Sequence, residues 1–328
     1  MRNQVLILGW WVWLLLACAP TAPQNTIPSG ALTGTARFRD RLAVADQVVV
    51  QLTGAPALSG DQAYQGWLLA DDGVTALSLG MLSRSADGAI ALEWNSPTSE
   101  NLLSRYARFQ ATIELSKGSA KPTGKVAFAG GLSGDALTVA RQLFAPAVAQ
   151  SAASADPYGS EYGGSAAQTT VRGAPAALGL KTQTEIAAQH LQNAVNAAAI
   201  GSLKETHVHL EHVINILEGK KGARFGDHDG DGVAQNPGDG YGAQAYAAEV
   251  VKALGAANDV GDTERALQAQ IKTIEERCLA LMKMNDAASA SPSLRELKGL
   301  MDQLKAEPVA KLYQAAQAKL VFSVVAVK

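Results

Sequence analysis

The residues best equipped for chemistry lie between positions 205 and 241. Asp227-His228-Asp229-Gly230-Asp231-Gly232 sets carboxylates at alternate positions and a glycine at the sixth, the opening of an EF-hand-type calcium loop. Three clustered carboxylates repel one another, so a cation among them has a physical motive. The twelfth position is Gly238 and Asp239 follows it. Either the loop is one residue longer and Asp239 closes the shell, or the site is incomplete. A backbone carbonyl near Val233, the Asn236 side chain and water are the other available oxygens. All-oxygen donors place Ca²⁺ ahead of Mg²⁺. The alternative is a solvated Asp/Gly turn.

Four of the five histidines fall between 207 and 228. Glu205, His209 and His212, four and three residues apart, form one stripe on a helix. Imidazole and carboxylate suit a divalent transition metal, although no second Glu-x-x-His motif accompanies them. Histidines on a partly polar face are more often simply solvated. His207 shares a seam with Leu203, Leu210 and Ile214 and should point inward, as a hydrogen-bonded core histidine or as a metal or haem ligand. No Gly-x-Ser-x-Gly elbow, phosphate loop, dinucleotide fingerprint or His-Glu-x-x-His motif is present. A non-catalytic protein is therefore expected.

These residues need a helical frame, and the sequence supplies one from about residue 181. Residues 182–218 carry Ile200, Leu203, Leu210, Ile214 and Leu217 at three- and four-residue spacings, and Gly219 is a natural stop. A polar Gly/Asp loop at 222–242 leads to further helices at 243–254 and from Asp262 to about Asn285. A last helix opens at Ser291-Pro292 and is broken by Pro308. An antiparallel helical bundle over 181–328 is expected. Residues 320–327 (LVFSVVAV) are apolar and β-branched, with no obvious place in a bundle.

Residues 36–145 read differently. Short runs at 48–52, 64–69, 76–82, 89–94, 109–115 and 125–129 are separated by Gly, Asp, Asn or Pro clusters, the pattern of an antiparallel β-sandwich. Residues 146–180 form an Ala/Ser/Gly-rich linker between the two parts.

At the N-terminus, Arg2 precedes the apolar stretch 5–16, which matches the h-region of an export signal in length. Leu15-Leu16-Ala17-Cys18 resembles a bacterial lipobox. That resemblance implies cleavage after residue 17 and a lipid on Cys18, with acyl burial worth about 0.8 kcal/mol per CH₂. Residues 18–35 would then be a tether. Cys278, the only other cysteine, is expected to be a buried small hydrophobe.

Within the β region, Val50-x-Leu52, Tyr64-x-x-Trp67-Leu68, Leu77-x-Leu79-Gly80, Asp87-Gly88, Phe109-x-x-x-Ile113-Glu114, Pro122-x-Gly124-x-Val126 and Ala129-Gly130 together are similar to the extracytoplasmic C-terminal domain of anti-sigma-K factors. The resemblance implies a non-catalytic β-domain that senses or relays envelope signals. Only a signal and a tether are read upstream of it, so no sigma-binding domain is expected. Tyr64 and Trp67 are expected to be buried strand aromatics rather than ligand-facing groups.

The charge balance, 28 Lys and Arg against 30 Asp and Glu, argues against a nucleic-acid partner. The expectation is a lipid-anchored binding or sensory protein on the extracytoplasmic face of the cell membrane. Its partners would be the membrane, through Cys18, and an envelope protein or small ligand. The alternative is a transition-metal- or haem-binding envelope component, redox or metal-handling, centred on residues 207–212.

Overall fold

The computed structural model describes residues 32–145, 174–256 and 258–327. The export signal, Cys18, most of the tether and most of the linker lie outside the described residues.

Eight strands alternate in direction along one sheet: β1 (Thr33–Arg39), β2 (Gln47–Thr53), β3 (Gln62–Ala70), β4 (Ala76–Leu82), β5 (Ile90–Asn95), β6 (Tyr106–Leu115), β7 (Lys125–Gly131) and β8 (Val321–Ala326). Their order is β4-β3-β6-β7-β8-β1-β2-β5, every neighbour antiparallel. The sheet curls until its two edges approach, with an isolated bridge from Arg84 to Ile90. The antiparallel β class stands. In place of the two sheets expected of a sandwich, the strands form one nearly closed sheet, which leaves little free edge. The six expected strands recur with small changes at their ends. β1 was not foreseen, because its first residues fell within the expected tether.

The C-terminal run is the largest departure from the expected bundle. As β8 it pairs with β1 on one side and β7 on the other, so the last strand of the chain closes the sheet. Phe322 and Val324 point into the core while Val321 and Val325 are exposed. Gly34 and Gly130 lie opposite Val324 from either side. A Cβ on Gly130 would come within 2.0 Å of the Ser323 carbonyl oxygen, so the close approach there requires glycine.

Among the described residues seven α-helices lie between β7 and β8: α1 (Gly134–Phe144), α2 (Ala176–Ala199), α3 (Leu203–Glu218), α4 (Ala243–Leu254), α5 (Asn258–Leu281), α6 (Ala287–Leu304) and α7 (Ala310–Gln317). α1 replaces the end of the expected β region. The single helix expected at 182–218 is two, α2 and α3, because Gly201 adopts φ 78° and closes α2 with hydrogen bonds from Gly201 N to Ala198 O and from Ser202 N to Ala197 O. α6 begins before the expected Ser291-Pro292 start. The Asp286 carboxylate caps it by accepting from the backbone N–H groups of Ala288 and Ser289, which leaves Pro292 inside the helix. Pro308 lies in a π turn, Lys305–Val309, through which α6 runs on into α7. The wider turn accommodates a residue that cannot donate a backbone hydrogen bond.

Helix α2 is central, packing on α1, α3, α4, α6 and α7. Buried side chains of sheet and helices belong to one continuous cluster. Trp67 is fully buried, its indole N–H donating to Thr112 Oγ1 at 2.8 Å, and Tyr64 is buried against the Phe128 ring. Both are core aromatics, as expected. Cys278 is also fully buried, and burial raises its thiol pKa well above the ordinary value. Among the described residues no helix is long and apolar enough to cross a membrane.

Candidate metal centres on helices α2 and α3 and the Asp/Gly loop

α3 carries the residues that organise the loop between itself and α4. Its inner face is buried from Leu210 to Leu217, and two polar members of that face, Glu211 and Asn215, reach the loop backbone. Asn215 Nδ2 donates to the carbonyls of Gly226 at 2.9 Å and Gln235 at 2.8 Å, and its Oδ1 accepts from Gly226 N at 2.9 Å. Asn236 Nδ2 donates back to the Asn215 carbonyl at 2.6 Å. The ends of the loop are pinned as well, by a bond from Lys220 N to Gly240 O at 2.9 Å. A long polar loop is thus tied to α3, because a fully buried amide takes up backbone groups from both of its limbs.

Glu211 is 1% exposed and its carboxylate gathers loop donors. Oε2 accepts from His228 N at 2.6 Å and Asp229 N at 3.1 Å, and Oε1 accepts from Gln235 N at 2.8 Å. Burial raises its pKa, against the pull of these hydrogen bonds. One oxygen each from Glu211, Asp227 and Asp229 lie within 4.8 Å of one another. The first and third positions of the Asp/Gly loop therefore converge with a glutamate from the preceding helix. Within the loop Asp227 accepts from Gly230 N at 2.7 Å and Gly232 N at 2.8 Å, and Asp229 from Asp231 N at 3.0 Å.

Two expected members of the shell stand elsewhere. Asp231 accepts from Val233 N at 2.8 Å and from Gln235 Nε2 at 2.9 Å. Asp239 accepts from Tyr241 N at 2.9 Å and from the Tyr246 hydroxyl at 2.5 Å. It ties the loop to α4, and the carboxylate that lies with Asp227 and Asp229 is that of Glu211, not Asp239. No pattern local to the loop could point to Glu211, which is sixteen residues before Asp227.

The histidines also regroup. His209 and His212 lie on one face of α3, and the third partner is His190 of α2. Glu205 is exposed one turn away and stands apart from them. His190 Nδ1 is 3.2 Å from His209 Nδ1 and 3.1 Å from His212 Nδ1. His190 and His212 are buried and His209 half-buried. Burial, with His212 and His209 adding to it, lowers the His190 pKa to about 3, so the ring is neutral at physiological pH. Burial likewise lowers that of His212. His212 Nε2 contacts Gln235 Oε1 at 2.8 Å, and the Gln235 amide is oriented by its donation to Asp231. His207 is half-buried, and its Nε2 is buried with no hydrogen-bond partner among the described residues.

Near the far end of α3, Arg224 Nη1 donates to Glu275 Oε2 of α5 at 2.8 Å. Burial pushes the Glu275 carboxyl up to about 7, and the Glu218 charge adds to the effect, against the opposing hydrogen bonds from Arg224 and Gln244.

Residues 24–126 match the family described as anti-sigma-K factor rskA, C-terminal. The matched segment runs from the expected tether to the start of β7. It contains β1 to β6 and ends before β8, which the chain brings to the same sheet from beyond the helices. No curated protein and no solved structure matches the chain.

Proposed function

We propose that the protein is a non-catalytic binding or sensory protein, anchored by lipid at Cys18 on the extracytoplasmic face of the membrane, with a calcium-type cation in the loop of its helical part. The match of residues 24–126 to an anti-sigma-K C-terminal domain supports an interaction role for the β part, with a protein of the envelope as partner. The observation that carries the cation reading is the convergence of Glu211, Asp227 and Asp229 within 4.8 Å, one of them almost sealed from water. Buried or clustered carboxylates repel unless a cation or hydrogen-bond donors compensate them, and oxygen-only donors select Ca²⁺. A cation there would brace the loop against α3, and the helices end in a strand of the matched sheet. That continuity links cation occupancy to the interaction module.

The test is thermal unfolding of the parent and of Asp229→Ala in calcium and in chelator. A ligand bound only to the folded state stabilises it by about 2.7 kcal/mol at a hundredfold excess over Kd. The parent should melt higher in calcium than in chelator, and Asp229→Ala should lose that increment while matching the parent in chelator. Equal melting of the two proteins in calcium removes the cation site from the reading.

A further inference from the structure

We infer that His190, His209 and His212 form a second metal site, for a borderline divalent transition ion of the Zn²⁺ kind, with Gln235 positioning His212 from behind. Its ligands are nitrogen donors from two helices and include none of the carboxylates of the Glu211 group, although Gln235, held by Glu211 and Asp231, borders both.

The first argument is spacing. A tetrahedral ion with Zn–N bonds of 2.0–2.1 Å holds its ligand nitrogens about 3.3–3.4 Å apart. His190 Nδ1 lies 3.2 and 3.1 Å from the Nδ1 atoms of His209 and His212, and a ring nitrogen from each of the three falls within 4.8 Å of the others. Two of the three separations are thus already close to those such an ion imposes, and the third donor pair lies within 4.8 Å.

The second argument is the placement of protons. Gln235 Nε2 donates to Asp231 Oδ2 at 2.9 Å, which turns Gln235 Oε1 toward His212 Nε2 at 2.8 Å. An oxygen there requires His212 to carry its proton on Nε2, so its Nδ1 presents a lone pair to His190. A proton on His190 Nδ1 can make a linear hydrogen bond to only one of its two imidazole neighbours. A cation can accept a lone pair from one nitrogen of each of the three rings. The chain of Asp231, Gln235 and His212 is also the usual support for a metal-binding histidine, whose second nitrogen donates to an oxygen that fixes ring and tautomer.

Imidazole donors suit Zn²⁺, Cu²⁺, Ni²⁺ and Co²⁺ and do not suit Ca²⁺ or Mg²⁺. Three protein ligands leave a fourth position to water or to a donor atom of a ligand.

Cobalt titration of the full chain in detergent, after metal stripping, tests the site. The parent should bind one equivalent of Co²⁺ with the intense visible bands of tetrahedral cobalt. Zn²⁺ should displace it and excess Ca²⁺ should not. His209→Gln, altered at the half-exposed member, should abolish the bands. Gln235→Leu should keep them but bind about 10–100-fold more weakly. Nitrogen NMR of the parent needs no variant: Zn²⁺ should shift the Nδ1 signals of His190, His209 and His212 together. Absence of tetrahedral bands in the parent, their survival in His209→Gln, or a zinc shift confined to other histidines overturns the site. Unchanged affinity in Gln235→Leu overturns the positioning role.

Discussion

Glu275 shows how a single buried carboxyl can make stability depend on pH in an uncommon direction. Its pKa is raised to about 7 by burial, while an unfolded glutamate titrates near 4.5. Between those values the folded chain binds more protons than the unfolded chain, so this group's contribution falls as pH rises. A paired surface carboxylate behaves in the opposite way. Glu275→Gln keeps the shape and removes the titration. Denaturant midpoints of the parent and of this variant should diverge, to the parent's disadvantage, as pH rises from about 4.5 to 7. A constant difference across that range would show that Arg224 holds the carboxylate charged throughout.

Strand β8 is the element on which the sheet's closure depends. It is six residues long, yet it fills the gap between β7 and β1, whose facing backbone groups would otherwise be unpaired. Phe322 also packs on Phe38 with ring centroids 6.1 Å apart. Gly130→Val would drive a side chain into the Ser323 carbonyl and displace β8 from β7. Overpacking of this kind costs about 1–3 kcal/mol. Hydrogen exchange should show the amides of residues 321–326 losing protection in Gly130→Val while those of β3 and β6 retain it. Full protection of β8 in that variant would mean that the strand does not depend on the close approach.

On the scale of the whole molecule, helices and sheet are fastened at more than one place. Asp40, after β1, accepts from the Tyr313 hydroxyl at 2.5 Å and Gln317 Nε2 at 3.1 Å, both on α7, and from Ala45 N at 2.8 Å within its own loop. The Tyr313 ring meets Phe144 of α1 edge-on and lies under Lys181 of α2. With a core continuous between the two parts and β8 crossing between them, they should unfold together. Calorimetry should give one transition for the parent. Tyr313→Phe removes one of three donors from the half-buried Asp40 carboxylate and should lower it by the equivalent of about 0.5–1.5 kcal/mol without splitting it. Two transitions in the parent would show that the sheet and helices are independent units.

Local sequence signals suffice for elements whose form depends only on their own residues. Short β-branched runs between turn residues mark six strands, and Asp at alternate positions before Gly232 marks a loop, whose carboxylates accept backbone N–H groups. The similarity of the β region was legible in its motifs, and residues 24–126 match that family. Periodicity within a helix, however, reveals only neighbours on the same helix. It groups His209 and His212 with Glu205, whereas the register between α2 and α3 brings His190 to the two histidines and leaves Glu205 apart. Likewise Asp239 was the nearest acid in sequence, and Glu211 is the one delivered by the helix on which the loop folds back. The apolar C-terminal run had the composition of a strand but no visible partner, because its partners lie nearly two hundred residues or more upstream. Sequence fixes what a segment prefers and what its side chains can bind. Which distant segments meet depends on burying every apolar face and pairing every backbone group at once, a condition on the whole chain that only tertiary packing resolves.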